Sequence, residues 1–103
     1  MFDTVLIAGL GLMGGSMAKT IKARTLSRVL GWNRPRATAE QALADGSIDA
    51  IATDALFREV DLVIIGLYPQ ATVDWLLENM PKMKKGCVIV DMVGVKQFMV
   101  DHL

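Results

Sequence analysis

A chain of 103 residues, 52% of them hydrophobic, with 11 basic and 11 acidic side chains and no net charge, reads as one small globular domain. It lacks the basic excess and basic-aromatic interleaving of a nucleic-acid binder, and no apolar run approaches the roughly 18 residues of a membrane span. A single cysteine excludes an internal disulfide and suits a reducing, cytoplasmic compartment. The opening MFDTVLI enters a strand with no basic segment ahead of it, so no signal peptide is expected.

The first strand is predicted over Thr4 to Gly9. A helix from Met13 to Ala23 sets Met13, Met17, Ala18 and Ile21 on one face, with Lys19 and Lys22 outward. The methionines there read as core filler, and no metal site is expected. A second strand covers Arg28 to Trp32. Pro35 then opens a helix through Ala37 to Ala44, and Gly46 stops it. A short third strand is expected near Ala50 to Thr53, followed by a turn of helix at Ala55 to Arg58. Asp61 to Leu67 is the apolar, β-branched run of a strand covered on both faces, and Pro69 ends it. The next helix, Ala71 to Met80, is expected to bury Val73, Leu76, Leu77 and Met80. After a solvated loop at Lys82 to Gly86 comes a fifth strand, Cys87 to Asp91, with Cys87 as a small buried hydrophobe. The tail from Lys96 reads as the first turns of a helix.

Strand–helix alternation of this kind predicts an α/β fold: a doubly wound, Rossmann-type parallel sheet in the order 3-2-1-4-5. It would be most of such a domain with its last part missing, as in a fragment of a longer chain. The fifth strand would then form an exposed edge.

The chemistry concentrates in Thr4 to Ser16, TVLIAGLGLMGGS, where Gly9, Gly11 and Gly14 follow a strand and open a helix. In a G-x-G-x-x-G turn the first glycine allows the tight bend. The second lets backbone amides approach a pyrophosphate, and the third lets helix and strand pack closely. The amides at Leu12 and Met13, at the positive end of the helix dipole, complete an anion site.

Charge supports an anionic ligand. No acid falls between Asp3 and Glu40, while Lys19, Lys22, Arg24, Arg28, Arg34 and Arg36 do. The end of the second strand, about twenty residues on, should face the adenosine ribose. It carries Asn33, Arg34 and Arg36 rather than a carboxylate. Guanidinium groups suit a phosphate monoester, which favours NADP over NAD, with Asn33 on a ribose hydroxyl of either. The crevice beyond the fourth strand should supply Leu67, Tyr68, Pro69 and Thr72 as further cofactor contacts, with Thr72 equally suited to capping.

Several segments together resemble the prephenate dehydrogenase family: Gly9-Leu10-Gly11-Leu12-Met13-Gly14-Gly15-Ser16, Gly31-Trp32-Asn33-Arg34, Gly46-Ser47-Ile48-Asp49 and Asp91-Met92-Val93-Gly94-Val95-Lys96. The resemblance implies the dinucleotide domain of an enzyme of tyrosine biosynthesis. That enzyme would oxidise prephenate, or arogenate, with NAD(P)+ and release CO2. A following helical domain would supply most substrate contacts and the interface of a homodimer. Gly94 stands where the family has serine; Gly94 and Lys96 are the candidate substrate contacts. No catalytic residue is assigned within the chain, because His102 lacks the family's histidine context and reads as a surface residue. The chain alone is therefore expected to be inactive. Two other readings fit the same residues: an NADP-dependent reductase of the β-hydroxyacid dehydrogenase type, and a non-catalytic nucleotide-sensing module.

Overall fold

The computed structural model describes residues 2–92 and 96–100. Its elements are β1 (Thr4–Ala8), α1 (Leu12–Arg24), β2 (Arg28–Trp32), α2 (Arg36–Ala44), β3 (Ala50–Ile51), α3 (Asp54–Phe57), β4 (Leu62–Ile65), α4 (Pro69–Asn79), a 3-10 turn (Met80–Lys82), β5 (Val88–Asp91) and β6 (Lys96–Met99). The sheet order is β3-β2-β1-β4-β5-β6. The first five strands are parallel, in the 3-2-1-4-5 arrangement that the alternation implies.

Side-chain alternation along the central strands divides the core in two. Leu6, Ala8, Leu30, Val63, Ile65 and Ile89 face α3 and α4; Val5, Ile7, Val29 and Ile64 face α1 and α2. Every residue of β1 is buried, as a strand with helices on both sides requires. Cys87 is fully buried, and burial pushes its thiol up to about 11, so it behaves as a hydrophobe.

Two expectations fail. The tail is a strand, not a helix: β6 runs antiparallel to β5, pairing Val88 with Met99 and Asp91 with Lys96. Only four residues separate β5 from β6, which suffices for an antiparallel return but not for the dozen or more that a parallel crossover takes. The expected open edge of β5 is therefore covered.

The second failure concerns α4. Val73 and Leu77 are 50% and 75% exposed, whereas Thr72, Trp75 and Asn79 are buried and Leu76 and Met80 half-buried. Trp75 decides this. Its indole meets Trp32 edge-on at 5.8 Å and Phe57 at 5.9 Å, which turns the buried stripe onto its own side of the helix.

The segregated charges recombine across the sheet's end. Asp49 accepts from Lys22 Nζ at 2.6 Å and from the Val29 N–H at 2.8 Å; Arg28 pairs with Glu59. Asp61 receives the N–H groups of Asp3 and Thr4, both at 2.9 Å, and the Lys84 ammonium. Lys22 and Lys84, respectively, are the main reason that Asp49 and Asp61 lie below the usual carboxylate range.

Candidate dinucleotide-binding site

The carboxyl ends of β1, β2 and β4 converge on the glycine turn, at the point where the sheet order reverses. Gly9 has φ +95°, and its N–H donates to the Trp32 carbonyl at 2.8 Å. A Cβ on Gly9 would lie 2.7 Å from the Gly66 carbonyl oxygen and 3.0 Å from Leu67 Cδ2, so β4's end closes directly against the turn. A Cβ on Gly14 would sit 1.8 Å from the Gly9 carbonyl oxygen, a position no side chain can share. Helix and strand thus pack backbone to backbone here.

Gly11 is different. A Cβ there would meet nothing within 4 Å, and its backbone is ordinary extended chain that any residue adopts. Nothing in the protein's own packing asks for glycine at this position. What it preserves is open space in front of the N-terminus of α1. That end has no side-chain cap and no acid in its first turn, so the leading amides at Leu12, Met13 and Gly14 remain available to an anion. A pyrophosphate suits this helix end, because it needs bare amides, a positive helix end and no Cβ.

At the end of β2, Arg34 and Arg36 are both exposed. Arg36 is held loosely, 3.9 Å from Glu40, and Arg34 has no ion pair among the described residues. Both line a cavity of about 360 Å3 with Trp32, Asn33, Ile51 and Ala52. The half-buried Asn33 amide is engaged at both ends. Its Oδ1 accepts the Leu10 N–H at 2.8 Å, and its Nδ2 donates to the Pro35 carbonyl at 3.3 Å.

On the β4 side, Tyr68 is 85% exposed and Pro69 begins α4. Thr72 is buried, and its hydroxyl donates to the carbonyls of Leu67 at 3.2 Å and Tyr68 at 3.1 Å. A hydroxyl that donates to carbonyls is not an N-cap, which would accept an N–H, and α4 has no side-chain cap; Thr72 instead braces the turn that carries Leu67 and Tyr68. Lys96 is the first residue of β6, opposite Asp91. Gly94 and His102 lie outside the described residues.

Sequence reasoning missed the groove of about 570 Å3 between α1 and α2, which opens at Gly11 and is lined by Ser16, Lys19, Thr38 and Gln41. Part of its lining, Ser16, Lys19 and Thr38, falls in the acid-free interval, whereas Gln41, Ala42, Asp45 and Ser47 lie beyond it. Gly31 was also missed as a structural requirement: a Cβ there would strike Ile48 Cδ1 at 2.7 Å and Leu10 Cδ1 at 2.8 Å. The bare backbone of β2 is what seats Leu10 beneath the turn.

The model of the family described as the NAD binding domain of 6-phosphogluconate dehydrogenase matches residues 4–99. The chain belongs to that family. Its cofactor is a nicotinamide dinucleotide, and the residues at the glycine turn fit one. No curated protein matches the chain.

Among solved structures, arogenate dehydrogenase from Synechocystis superposes with a TM-score of 0.78 at 21% identity, covering 85% of this chain and 32% of that one. Prephenate dehydrogenase from A. aeolicus, in complex with hydroxyphenyl propionate and NAD+, gives 0.74 at 23% identity over 88% of this chain and 33% of that one. Imine reductase from Bacillus cereus gives 0.65 at 30% identity over 85% and 30%. The domain spans about a third of the length of these oxidoreductases. Among the described residues, no helix is long and apolar enough to cross a membrane, and no group of His, Cys, Asp and Glu could hold a metal ion.

Proposed function

We propose that this domain binds NADP in preference to NAD, and that it is the dinucleotide-binding domain of a cytoplasmic dehydrogenase acting on prephenate or arogenate. The observation that carries the binding reading is Gly11, a glycine that the fold does not need, before an uncapped helix end. Gly9, Gly11 and the amides of Leu12, Met13 and Gly14 would hold the pyrophosphate. Arg34 and Arg36 would hold the 2′-phosphate through charge-assisted bonds. Leu67, Tyr68 and Pro69 would border the nicotinamide half, on the turn that Thr72 braces.

The bound nicotinamide supplies hydride acceptance from the substrate carbon that carries the hydroxyl. The chain's own part is to bind, orient and keep that end of the sheet closed at Gly9 and Gly66. Gly94 and Lys96, after β5, are the positions proposed nearest the substrate. A second, helical domain would bring the remaining contacts and the dimer interface, and the chain alone would turn nothing over.

The order and spacing of the motifs from Gly9 to Lys96 support prephenate or arogenate as substrate. A second reading, a reductase of the β-hydroxyacid dehydrogenase type, is favoured by the family match over residues 4–99 and by the 30% identity to an imine reductase.

The deciding experiment supplies a protein that carries this domain with prephenate, arogenate or a β-hydroxy acid, and follows the formation of reduced nicotinamide. Turnover with prephenate or arogenate is the expected result. Turnover confined to the β-hydroxy acid would transfer the assignment to the second reading.

A further inference from the structure

The last backbone hydrogen bond between the ends of β1 and β2 is the one from Gly9 N–H to the Trp32 carbonyl. Beyond it the two segments part, one into the glycine turn and the other into the loop that carries Arg34 and opens α2. The Asn33 side chain spans the gap. Its carbonyl oxygen takes the Leu10 N–H at 2.8 Å, while its amide nitrogen donates to the Pro35 carbonyl at 3.3 Å. Both partners are main-chain groups, so the strut fixes backbone to backbone. Leu10 is itself immobilised, 6% exposed and packed against the bare Gly31.

The residue type follows from the two partners. A group is needed that accepts on one side and donates on the other, from a planar end long enough to reach both. Asparagine does this. Aspartate would set an acceptor against the Pro35 carbonyl, and serine is too short to span the pair.

We propose that Asn33 is a positioning residue: it couples the pyrophosphate turn to the Arg34 loop, so that binding energy realised at the 2′-phosphate depends on the strut. This rests on the dinucleotide reading above and goes beyond it. It also replaces the direct ribose contact expected of Asn33 from sequence. With the strut in place, Arg34 meets the 2′-phosphate of a nucleotide already registered by its pyrophosphate at Gly11. Without it, the two anchors move independently, and each holds its phosphate as if the other were absent.

The test is a double-mutant cycle read by calorimetric titration of NADP+ and NAD+ into the wild type, Arg34→Ala, Asn33→Ala and the double variant, with thermal melts to confirm folding. In the wild-type background, Arg34→Ala should weaken NADP+ binding about tenfold or more; in the Asn33→Ala background its cost should shrink to about threefold or less. A merely structural Asn33 would lower the melting temperature and weaken binding, yet leave the cost of Arg34→Ala the same in both backgrounds. That equality would overturn the inference while leaving the dinucleotide reading standing. Failure of the wild type to bind either nucleotide would remove both. Should Asn33→Ala not fold, Asn33→Ser lets water reach the Leu10 N–H without bridging to Pro35, and the same pair of outcomes decides.

Discussion

Gly11→Ala separates what the fold needs from what the ligand needs. The added methyl meets no atom within 4 Å, and the position has φ −70°, ordinary for alanine. Two small effects on stability oppose each other. Alanine is a poorer N-cap than glycine, while losing a glycine restricts the unfolded chain by about 0.4–1 kcal/mol. The net change should stay within about 1 kcal/mol, a melting shift of no more than about 4–8 °C for a domain of this size. Binding should suffer far more. The methyl occupies the space into which the first-turn amides point, so the pyrophosphate must withdraw from at least one of them. A hydrogen bond to a charged group contributes about 1.5–3 kcal/mol, and each 1.4 kcal/mol is tenfold, so NADP+ and NAD+ should both bind roughly 10- to 100-fold more weakly. Calorimetric titration beside a thermal melt measures the two quantities on one sample. Unchanged affinity in a folded variant would refute the placement of the pyrophosphate at Gly11. Gly14→Ala is the contrast: its methyl would lie 1.8 Å from the Gly9 carbonyl, so it should unfold the turn and lose most of the melting transition.

Arg34→Asp should weaken NADP+ binding at least about tenfold and leave NAD+ little changed, since the carboxylate repels a 2′-phosphate and tolerates a 2′-hydroxyl; an unaltered preference in competition titration would take Arg34 out of the site. Stability should fall with acid. Asp49 and Asp61 have carboxyl groups held below the ordinary value of 3.8, so their contribution is complete above that value and drains away as pH drops through the lower, folded-state values. Urea melts of Asp61→Asn from neutral pH downward should show a lower plateau and a shallower acid decline than the wild type; an identical profile would mean that Asp61 carries none of it. Trp75→Ala should cost about 3–5 kcal/mol, whereas Trp75→Phe should cost far less, because the indole N–H is buried with no hydrogen-bond partner among the described residues and its removal strands nothing. Chemical denaturation of the two variants compares them, and equal costs would show that ring packing against Trp32 and Phe57 contributes nothing.

The parts of the fold legible in the sequence were those set by local chemistry. Gly9, Gly11 and Gly14 fix a strand–turn–helix by where a Cβ is forbidden or unwelcome, and the run from Leu62 to Ile65 declares a doubly covered strand by having no polar side. The errors arose where a distant partner decides. The aliphatic spacing of α4 offered one stripe, but Trp75 found Trp32 and Phe57 from other elements and took the helix face with it. KQFMV carries apolar residues compatible with either a helix or a strand; the exposed ladder of β5 settles the matter, and a ladder is invisible in a local window. Asn33 shows the same limit at the site. Its position after the second strand was readable, but the Leu10 N–H and Pro35 carbonyl that claim its amide are tertiary facts. The charge blocks, acid-free between Asp3 and Glu40 and acidic after it, pointed to an anionic ligand but not to the pairing of Lys22 with Asp49 or Arg28 with Glu59.

The bond from Gly9 to the Trp32 carbonyl carries a practical consequence. The chain has two indoles, and they touch: Trp32 abuts Trp75, and its main chain anchors the first glycine of the turn. On the proposed reading, nucleotide bound at that turn would lie one hydrogen bond from a built-in fluorophore whose neighbour is the other one. Emission from the unlabelled protein should register occupancy directly, with quenching or a spectral shift serving as the gauge.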